Sequence, residues 1–217
     1  MMPVKNYLLS VKKAYLRFQH DRINKKNLKR FNSMNGTNRQ ITIIANNCIG
    51  GFIYHYLGLR FESPTINLFI LPKDYIKMLK DFKKFFDPDA PIIEVKSEKS
   101  YPVGEIYGCK LYFMHYKQFD EAVSKWRERC RRININSIYV MMTDRDGCTL
   151  DDMKDFDSLD YKHKVIFTCS QHDDIKSSFY IHGFTGQPSV GQLHETMSIT
   201  GKRYIDQFDY VNFLSSN

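Results

Sequence analysis

The sequence predicts an α/β fold, with an open three-layer αβα arrangement around a mostly parallel sheet and a basic helix ahead of it. Two observations predict this class. From residue 41 onwards, short runs rich in β-branched residues alternate with helical patterns, as is typical of βαβ units. Before that point the chain has helical periodicity and no strand pattern. Its 217 residues suffice for one sizeable domain, or for two small units that share a sheet.

The charge of the chain is concentrated at its start. Residues 1–38 form a predicted basic arm and linker, and residues 39–217 form the predicted α/β domain. Residues 1–30 contain nine Lys or Arg and one acid, Asp21, so 9 − 1 accounts for the whole net charge of +8. The rest of the chain is balanced, so the basic composition does not predict a nucleic-acid partner.

The apolar residues of the arm recur at helical spacing. Leu8, Val11, Tyr15 and Phe18 lie three or four residues apart, which predicts an amphipathic helix, followed by a polar linker at residues 31–40. A basic amphipathic helix suits an anionic membrane surface. The alternative is that the apolar stripe packs on the chain's own core while the cations form a solvated face.

Composition excludes several classes of protein. No apolar run approaches the roughly 20 residues that a membrane-spanning helix needs, and the first residues lack the pattern of a secretory signal. Five cysteines without a CxxC motif predict free thiols in a reducing compartment, which favours the cytoplasm over a disulfide framework or a structural zinc site.

The body of the chain divides into alternating elements. Strands are predicted at 41–46, 65–70, 92–95, 103–107, 110–115, 137–142 and 164–168, and helices at 49–57, 73–86, 117–132 and 149–158. Pro72 suits the first turn of a helix, and Gly108 suits the turn of a hairpin. The pattern then weakens, with a strand expected at 179–182 and a terminal helix at 202–214.

Two segments share an outline. A strand, a glycine-containing loop and a helix lead to a second strand about 25 residues further on, starting once at residue 41 and again at residue 137. This echo suggests two similar Rossmann-like halves, near residues 39–116 and 117–217.

The first strand ends in a polar, glycine-containing turn. Asn46, Asn47 and Cys48 are followed by Gly50 and Gly51, which we interpret as a tight turn that allows a ligand close to the backbone. A helix begins directly afterwards, and a helix N-terminus stabilises a thiolate. The cysteine is therefore a candidate nucleophile. The alternative is a buried structural thiol beside a packing glycine.

Further reactive side chains follow other predicted strands. His115 ends one strand, and Thr143, Asp144, Arg145 and Asp146 follow another. Because parallel strands bring their carboxyl ends to one edge, we expect a nucleophilic site with Cys48 as nucleophile, His115 as base and Asp144 as orienting carboxylate. His115 could instead be a core residue.

Two of these positions have alternatives. Asp144 and Asp146 could hold a divalent ion, or one of them could cap the helix at Thr149. Arg129 could bind an anion, or belong to a solvated helix end whose charges offset the helix dipole. The sequence assigns no metal ligand and identifies no cofactor.

The motifs resemble a known bacterial family, domain of unknown function 1919, whose members are often labelled exopolysaccharide biosynthesis proteins. The residues that carry this likeness are Asn46-Asn47-Cys48, Gly50-Gly51, Tyr54, Ser63-Pro64-Thr65, Phe69-Ile70, Pro72, His115-Tyr116, Ala122, Trp126, Arg129, Thr143 to Cys148 and Phe156-Asp157. The likeness covers about residues 38–170 and adds Tyr54 to the candidate site. It implies an α/β fold and a role in capsule, exopolysaccharide or lipopolysaccharide assembly.

Together these observations predict a cytoplasmic transferase of surface-polysaccharide synthesis, which acts on a sugar or a lipid-linked glycan by acyl, glycosyl or phosphoryl transfer. The arm would contact the cytoplasmic face of the inner membrane. The alternative is a non-catalytic module that binds a glycan or a sugar phosphate for partner enzymes. The expected substrate-binding residues are Asn46, Asn47, Gly50, Gly51, Tyr54, Arg129, Thr143, Arg145 and Asp146.

Overall fold

A computed structural model describes residues 4–37 and 39–216 of the chain. Within the arm, the side chains of Val4, Lys5, Tyr7 and Leu8 lie outside the described part. The elements are α1 (Val4–Asn35), β1 (Thr42–Ala45), α2 (Ile49–Tyr56), α3 (Pro72–Lys80), α4 (Phe82–Phe85), β2 (Ile93–Glu94), β3 (Val103–Ile106), β4 (Cys109–Tyr112), α5 (Phe119–Cys130), β5 (Ile138–Thr143), α6 (Leu150–Asp157), β6 (Lys164–Thr168), β7 (Ser178–Tyr180), a 3₁₀ helix (Tyr204–Gln207) and α7 (Tyr210–Phe213).

The principal sheet is parallel throughout its four strands, in the order β1-β5-β6-β7. Ala45 pairs with Met141, and Thr143 pairs with Phe167, so the carboxyl ends of β1, β5 and β6 meet at one edge. This confirms a mixed α/β fold with a mostly parallel sheet and with the predicted helices at α5 and α6.

The sheet has a hydrophobic core on each face, because side chains alternate along a strand. On β5, Val140 and Met142 join a core with α3, α5, α6 and the small sheet, while Tyr139 and Met141 join a second core. The second core contains residues from the end of α1, from α2 and from the C-terminal segment.

A second, antiparallel sheet of β2, β3 and β4 contains the predicted hairpin. The predicted strand at 65–70 is wrong: only an isolated bridge between Phe69 and Tyr112 forms there. Asn67 adopts a φ of 65°, which interrupts an extended run. The first of the two suggested halves therefore lacks a returning parallel strand, whereas β5, α6 and β6 form a complete unit.

The arm is longer than predicted, and its second half belongs to the domain. The linker predicted at residues 31–40 is wrong in its first part, since α1 continues to Asn35 and Phe31 is buried. Asn27 donates to the Tyr210 hydroxyl at 2.7 Å, and Arg30 pairs with Asp209 at 2.6 Å.

The first half of α1 stands away from the domain. Val11, Tyr15 and Phe18 are 49–65% exposed, so these members of the predicted stripe do not pack on the chain's own core; the side chain of Leu8, its fourth member, lies outside the described part. Leu9 lies about 160° around the helix from Val11, because successive residues turn by about 100°. Leu9 is therefore on the opposite side of the helix from Val11, Tyr15 and Phe18, which are spaced by four and three residues and share one face.

The C-terminal segment is less regular than predicted. The expected helix at 202–214 is divided into the 3₁₀ helix and α7, with Asp209 between them as the N-cap of α7. The strand expected at 179–182 is present as β7, one residue earlier. All five cysteines are free thiols, as predicted.

Candidate functional site

A cavity of about 140 Å³ lies at the carboxyl edge of the parallel sheet. Its walls come from the turn after β1, the loop after β5, two irregular segments and a late loop. The lining residues are Asn47, Cys48, Ile49, Phe52, Phe69, Met114, Thr143, Arg145, Asp146, Gly191, Gln192, Leu193 and His194.

The cysteine and histidine predicted to cooperate do meet. Cys48 Sγ lies 3.5 Å from His115 Nε2. His115 arrives by a different route from the one predicted, because β4 belongs to the antiparallel sheet. The segment after β4 is held by paired bonds of 3.0 Å between Phe69 and Tyr112 and by the His115 N–H, which donates to the Asn67 carbonyl at 3.4 Å. A thiol and an exposed imidazole are thus brought together at the cavity.

Burial affects the pKa of the Cys48 thiol more strongly than the helix start does. Desolvation raises the pKa of Cys48, while the positive charge of Arg145 acts in the opposite direction. We expected a helix N-terminus to lower this pKa, and the net effect here is the reverse. The thiol is therefore protonated at neutral pH, and its reaction requires a base; His115 is in contact with it.

Asn46, Asn47 and Thr143 connect the ends of β1 and β5. Asn46 is fully buried, and its Oδ1 accepts the Thr143 N–H at 3.2 Å. Asn47 Nδ2 donates to the Thr143 hydroxyl at 2.8 Å, and its Oδ1 accepts the Ile49 N–H at 3.2 Å. Asn47 and Thr143 face the cavity, whereas Asn46 supports them from behind.

The two glycines do not make the predicted tight turn. Gly50 and Gly51 lie in the first turn of α2, and neither has a positive φ. A Cβ on Gly50 would lie 3.2 Å from side-chain atoms of Ala45 and Ile43, so this glycine allows α2 to approach β1. The role of Gly50 is therefore close packing of the helix, and neither glycine lines the cavity.

Tyr54 is a structural residue. Its buried hydroxyl donates to the Ile41 carbonyl at 2.8 Å and accepts the Ile43 N–H at 2.9 Å, which ties α2 to the entry of β1. Arg129 is also structural: its Nη1 donates to the Tyr116 hydroxyl at 2.9 Å and to the Ile66 carbonyl at 3.3 Å. Neither residue lines the cavity, contrary to the predicted substrate-binding roles.

Asp144 has a different task from the one predicted. Its Oδ2 accepts the Cys169 N–H and its Oδ1 accepts the Val190 N–H, both at 2.7 Å, and the side chain is buried. Both oxygens are therefore engaged with backbone groups, and the carboxylate anchors the loop before Gly191 to the sheet. The predicted roles of orienting His115 or holding a metal do not fit this arrangement.

Arg145 faces the cavity with its charge uncompensated. Its guanidinium forms no hydrogen bond or salt bridge with any residue that the structure describes, and the side chain is half-buried. Its positive charge also helps to lower the pKa of His194, behind the larger effect of burial. Asp146, at a φ of 60°, is exposed at the rim. Across residues 4–37 and 39–216, no three His, Cys, Asp or Glu side chains cluster in a way suited to a metal ion.

Sequence reasoning missed the opposite wall of the cavity. Gly191, Gln192, Leu193 and His194 form it, and the His194 ring stacks on Phe52 at 4.2 Å between centroids. This wall has no strand or helix pattern, so periodicity could not identify it. The signal that the sequence did offer for this wall was Phe52, an aromatic residue that directly follows the glycine pair in the helix predicted at 49–57.

Comparison with known proteins agrees with the resemblance. The family model of Domain of unknown function (DUF1919) matches residues 19–215. A Haemophilus influenzae protein (strain ATCC 51907 / DSM 11121 / KW20 / Rd), described as an uncharacterized protein, is 42% identical over 179 residues, or 82% of this chain and 86% of the relative. The chain therefore belongs to the DUF1919 family. None of the helices in the described ranges combines the length and apolar character needed to cross a bilayer.

Proposed function

We propose that this member of the DUF1919 family is a cysteine-dependent acyltransferase, which modifies a sugar or a lipid-linked glycan during bacterial surface-polysaccharide synthesis. The observation that carries the chemistry is the contact of 3.5 Å between Cys48 Sγ and His115 Nε2 beside a cavity. The polysaccharide setting is supported by the family resemblance, and we assign the enzyme to the cytoplasmic face of the inner membrane.

In the first half-reaction His115 takes the thiol proton while Cys48 Sγ attacks the carbonyl carbon of the acyl donor. The positive end of the α2 dipole, which begins directly after Cys48, stabilises the negative oxygen of the tetrahedral intermediate. The intermediate then expels the donor's leaving group, which takes the proton from His115. The product is a thioester on Cys48.

In the second half-reaction a sugar hydroxyl enters the cavity. His115 removes its proton as the hydroxyl oxygen attacks the thioester carbonyl, and the C–S bond breaks. The Cys48 sulfur then recovers the proton from His115. Of the three transfer reactions expected from the sequence, acyl transfer uses the residues that meet here, since Asp144 is committed to backbone groups.

Arg145 gives the site a preference for anions. Half-buried in the cavity and unpaired with any described residue, this arginine would bind a carboxylate or a phosphate through its planar donors. The apolar side chains of Phe52, Phe69 and Met114 complete the cavity and suit an acyl chain or the apolar face of a sugar ring.

The second candidate is the non-catalytic glycan- or sugar-phosphate-binding module. The observation that favours it is the raised pKa of Cys48, which keeps the thiol protonated at rest. In that case Arg145 would hold the anionic group and Cys48 would only line the cavity.

An acyl probe separates the two candidates. p-Nitrophenyl acetate should acetylate Cys48 and release p-nitrophenolate, which is followed by absorbance and by peptide mass spectrometry. We expect His115→Ala to slow acetylation about a hundredfold, the lower end of general-base effects, and Cys48→Ala to abolish it at this position. His55→Ala, an exposed histidine on α2, is the matched control. Acetylation of Cys48 no faster than that of Cys148, with no response to His115→Ala, would overturn the acyltransferase in favour of the binding module.

A further inference from the structure

The first half of α1 contains an exposed helical segment that carries large apolar side chains. Residues 9–18, here called the protruding segment, are all exposed except Leu16, which is half-buried. At about 1.5 Å per residue the segment extends about 15 Å from the domain. Its large apolar side chains Val11, Tyr15 and Phe18 are 49%, 49% and 65% exposed. A solvated helix of this length is marginal in water, so a partner that covers it would stabilise it.

The segment meets the domain where the family match begins. The Gln19 side chain packs beside Gly201, and His20 Nε2 lies 3.0 Å from the Thr196 hydroxyl. The DUF1919 match also starts at residue 19. The protruding segment therefore lies outside the matched region and is separable from the candidate site.

One face of the segment points away from the domain. Val11, Tyr15 and Phe18 are spaced by four and three residues and share a face, which lies about 160° around the helix from the buried Phe31. Lys12, Lys13 and Arg17 flank this face, and residues 1–20 contain no acid that could neutralise them.

A second apolar element lies at the base of the segment. The loop closed by the bridge between Thr196 and Arg203 carries Ile199, which is 81% exposed. This loop packs closely on α1, since a Cβ on Gly201 would lie only 2.5 Å from Gln19 Cβ. Gly201 also has a φ of +78°, which favours glycine at this position. Two separate elements thus expose apolar side chains at one end of the molecule.

We propose that the protruding segment and the Ile199 loop dock on an anionic phospholipid surface. Cations attract the lipid headgroups, while Tyr15, Phe18 and Ile199 enter the region between the headgroups and the acyl chains. A second copy of the chain fits less well, since paired segments would bring unneutralised cations together. A nucleic acid would leave the apolar side chains without a role.

Docking has a geometric consequence for the site. The Ile199 loop begins two residues after His194, which lines the cavity. The bilayer would therefore lie close to the cavity wall, which suits a lipid-linked acceptor. The docking itself does not depend on the proposed chemistry.

Co-sedimentation of the full chain with vesicles tests this proposal. We expect binding to phosphatidylcholine vesicles that contain phosphatidylglycerol, weak binding to pure phosphatidylcholine, and weaker binding as salt shortens the Debye length from about 10 Å at 0.1 M. The triple change Lys12→Glu, Lys13→Glu and Arg17→Glu should reduce binding at least tenfold, because each cation near the surface contributes about a fivefold factor.

Two further variants complete the experiment. Phe18→Ser combined with Ile199→Ser should reduce binding about tenfold through lost apolar insertion. Lys83→Glu, Lys96→Glu and Lys99→Glu, three exposed lysines elsewhere, form the matched charge control and should have less than a twofold effect. Equal binding to neutral vesicles, equal loss in the charge control, or a concentration-dependent dimer or DNA complex without vesicle binding would overturn the proposal.

Discussion

Two strand-to-helix turns lie at the same edge of the parallel sheet, and their helix starts are completed differently. At the start of α6, Thr149 and Asp152 form a reciprocal capping box, with bonds of 2.9 and 3.1 Å. At the start of α2, Cys48 makes no side-chain cap and the first turn holds no acid; Asn47 accepts only the Ile49 N–H. One helix start is closed by reciprocal side-chain bonds, whereas at the other the single side-chain acceptor among the described residues is Asn47.

The two turns also treat a cysteine differently. Burial, followed by the charges of Asp152 and Asp144, raises the pKa of Cys148 to about 12. Burial also raises the pKa of Cys48, but there the nearby charge is Arg145 and its effect is opposite. Neighbouring charge therefore acts in opposite directions on the two thiols: it adds to the effect of burial at Cys148 and opposes it at Cys48. We therefore expect the β5–α6 turn to contribute to stability and the β1–α2 turn to supply the reactive groups.

The largest effect is expected at Asp144. The side chain of Asn has one acceptor oxygen and one NH₂ donor in place of the two carboxylate oxygens. In Asp144→Asn, one of the two backbone N–H groups, that of Cys169 or that of Val190, would therefore face a donor. We expect the free energy of unfolding to fall by about 3 kcal/mol, measured by urea denaturation. Asp146→Asn, on the exposed neighbour, should stay within about 0.5 kcal/mol. Equal effects of the two changes would mean that Asp144 is not an anchor.

A smaller effect is expected from the glycines of α2. Gly50→Ala places a methyl 3.2 Å from Ala45 and Ile43 and should cost about 1–3 kcal/mol through overpacking. Gly51→Ala meets only Ile66, at 3.7 Å, and should be neutral or stabilising by up to about 1 kcal/mol through helix propensity. Thermal melting of the pair measures both. If Gly50→Ala leaves the melting temperature unchanged, close packing does not require this glycine. The interpretation that it lets a ligand approach the backbone would then stand again.

Loss of the α6 cap should be smaller again. Thr149→Ala removes the acceptor for the Asp152 N–H and should cost about 1 kcal/mol, whereas Thr149→Ser keeps the cap. Acetylation of Cys48 by the probe should be unchanged in both variants. A loss of probe reactivity in Thr149→Ala would contradict the division between a stabilising turn and a reactive one.

The smallest effect concerns pH. Burial, and then Arg145, lowers the pKa of His194 below its usual 6.5. The unfolded chain therefore binds the proton more readily, so this contribution to stability is present above about pH 6.5 and is lost as the pH falls through the folded pKa. Urea midpoints at pH 7.5 and 5.5 should differ less in His194→Gln than in the wild type. An unchanged pH dependence would argue that His194 does not contribute.

The sequence predicts the second suggested half, near residues 117–217, better than the first half, near residues 39–116. The runs at β5, α6 and β6 have clear periods, and the structure follows them. The run at 65–70 has equally good strand composition, but Asn67 takes a positive φ and the segment instead supports the antiparallel sheet. Local propensity could not anticipate this, because the pairing of Phe69 with Tyr112 is a tertiary contact.

Topology alone brings two of the candidate site residues to one edge of the sheet. Cys48 and Arg145 follow strands of one parallel sheet, and both reach the cavity. The meeting of Cys48 with His115 was predicted, although through a parallel strand that does not exist. The anchoring role of Asp144 could not be predicted, because its partners Cys169 and Val190 are distant in sequence and contribute only backbone groups.

The anchor formed by Asp144 also bears on how the cavity wall can be varied. It holds main-chain N–H groups, so these two bonds do not depend on which side chains stand at 169 and 190. Within the wall that follows, Leu193 is buried in the core and a Cβ on Gly191 would lie 2.5 Å from the Phe184 ring, whereas Gln192 is exposed. A substitution at Gln192 would therefore change the surface of the cavity while the backbone of its wall, held by the buried aspartate, stays in position.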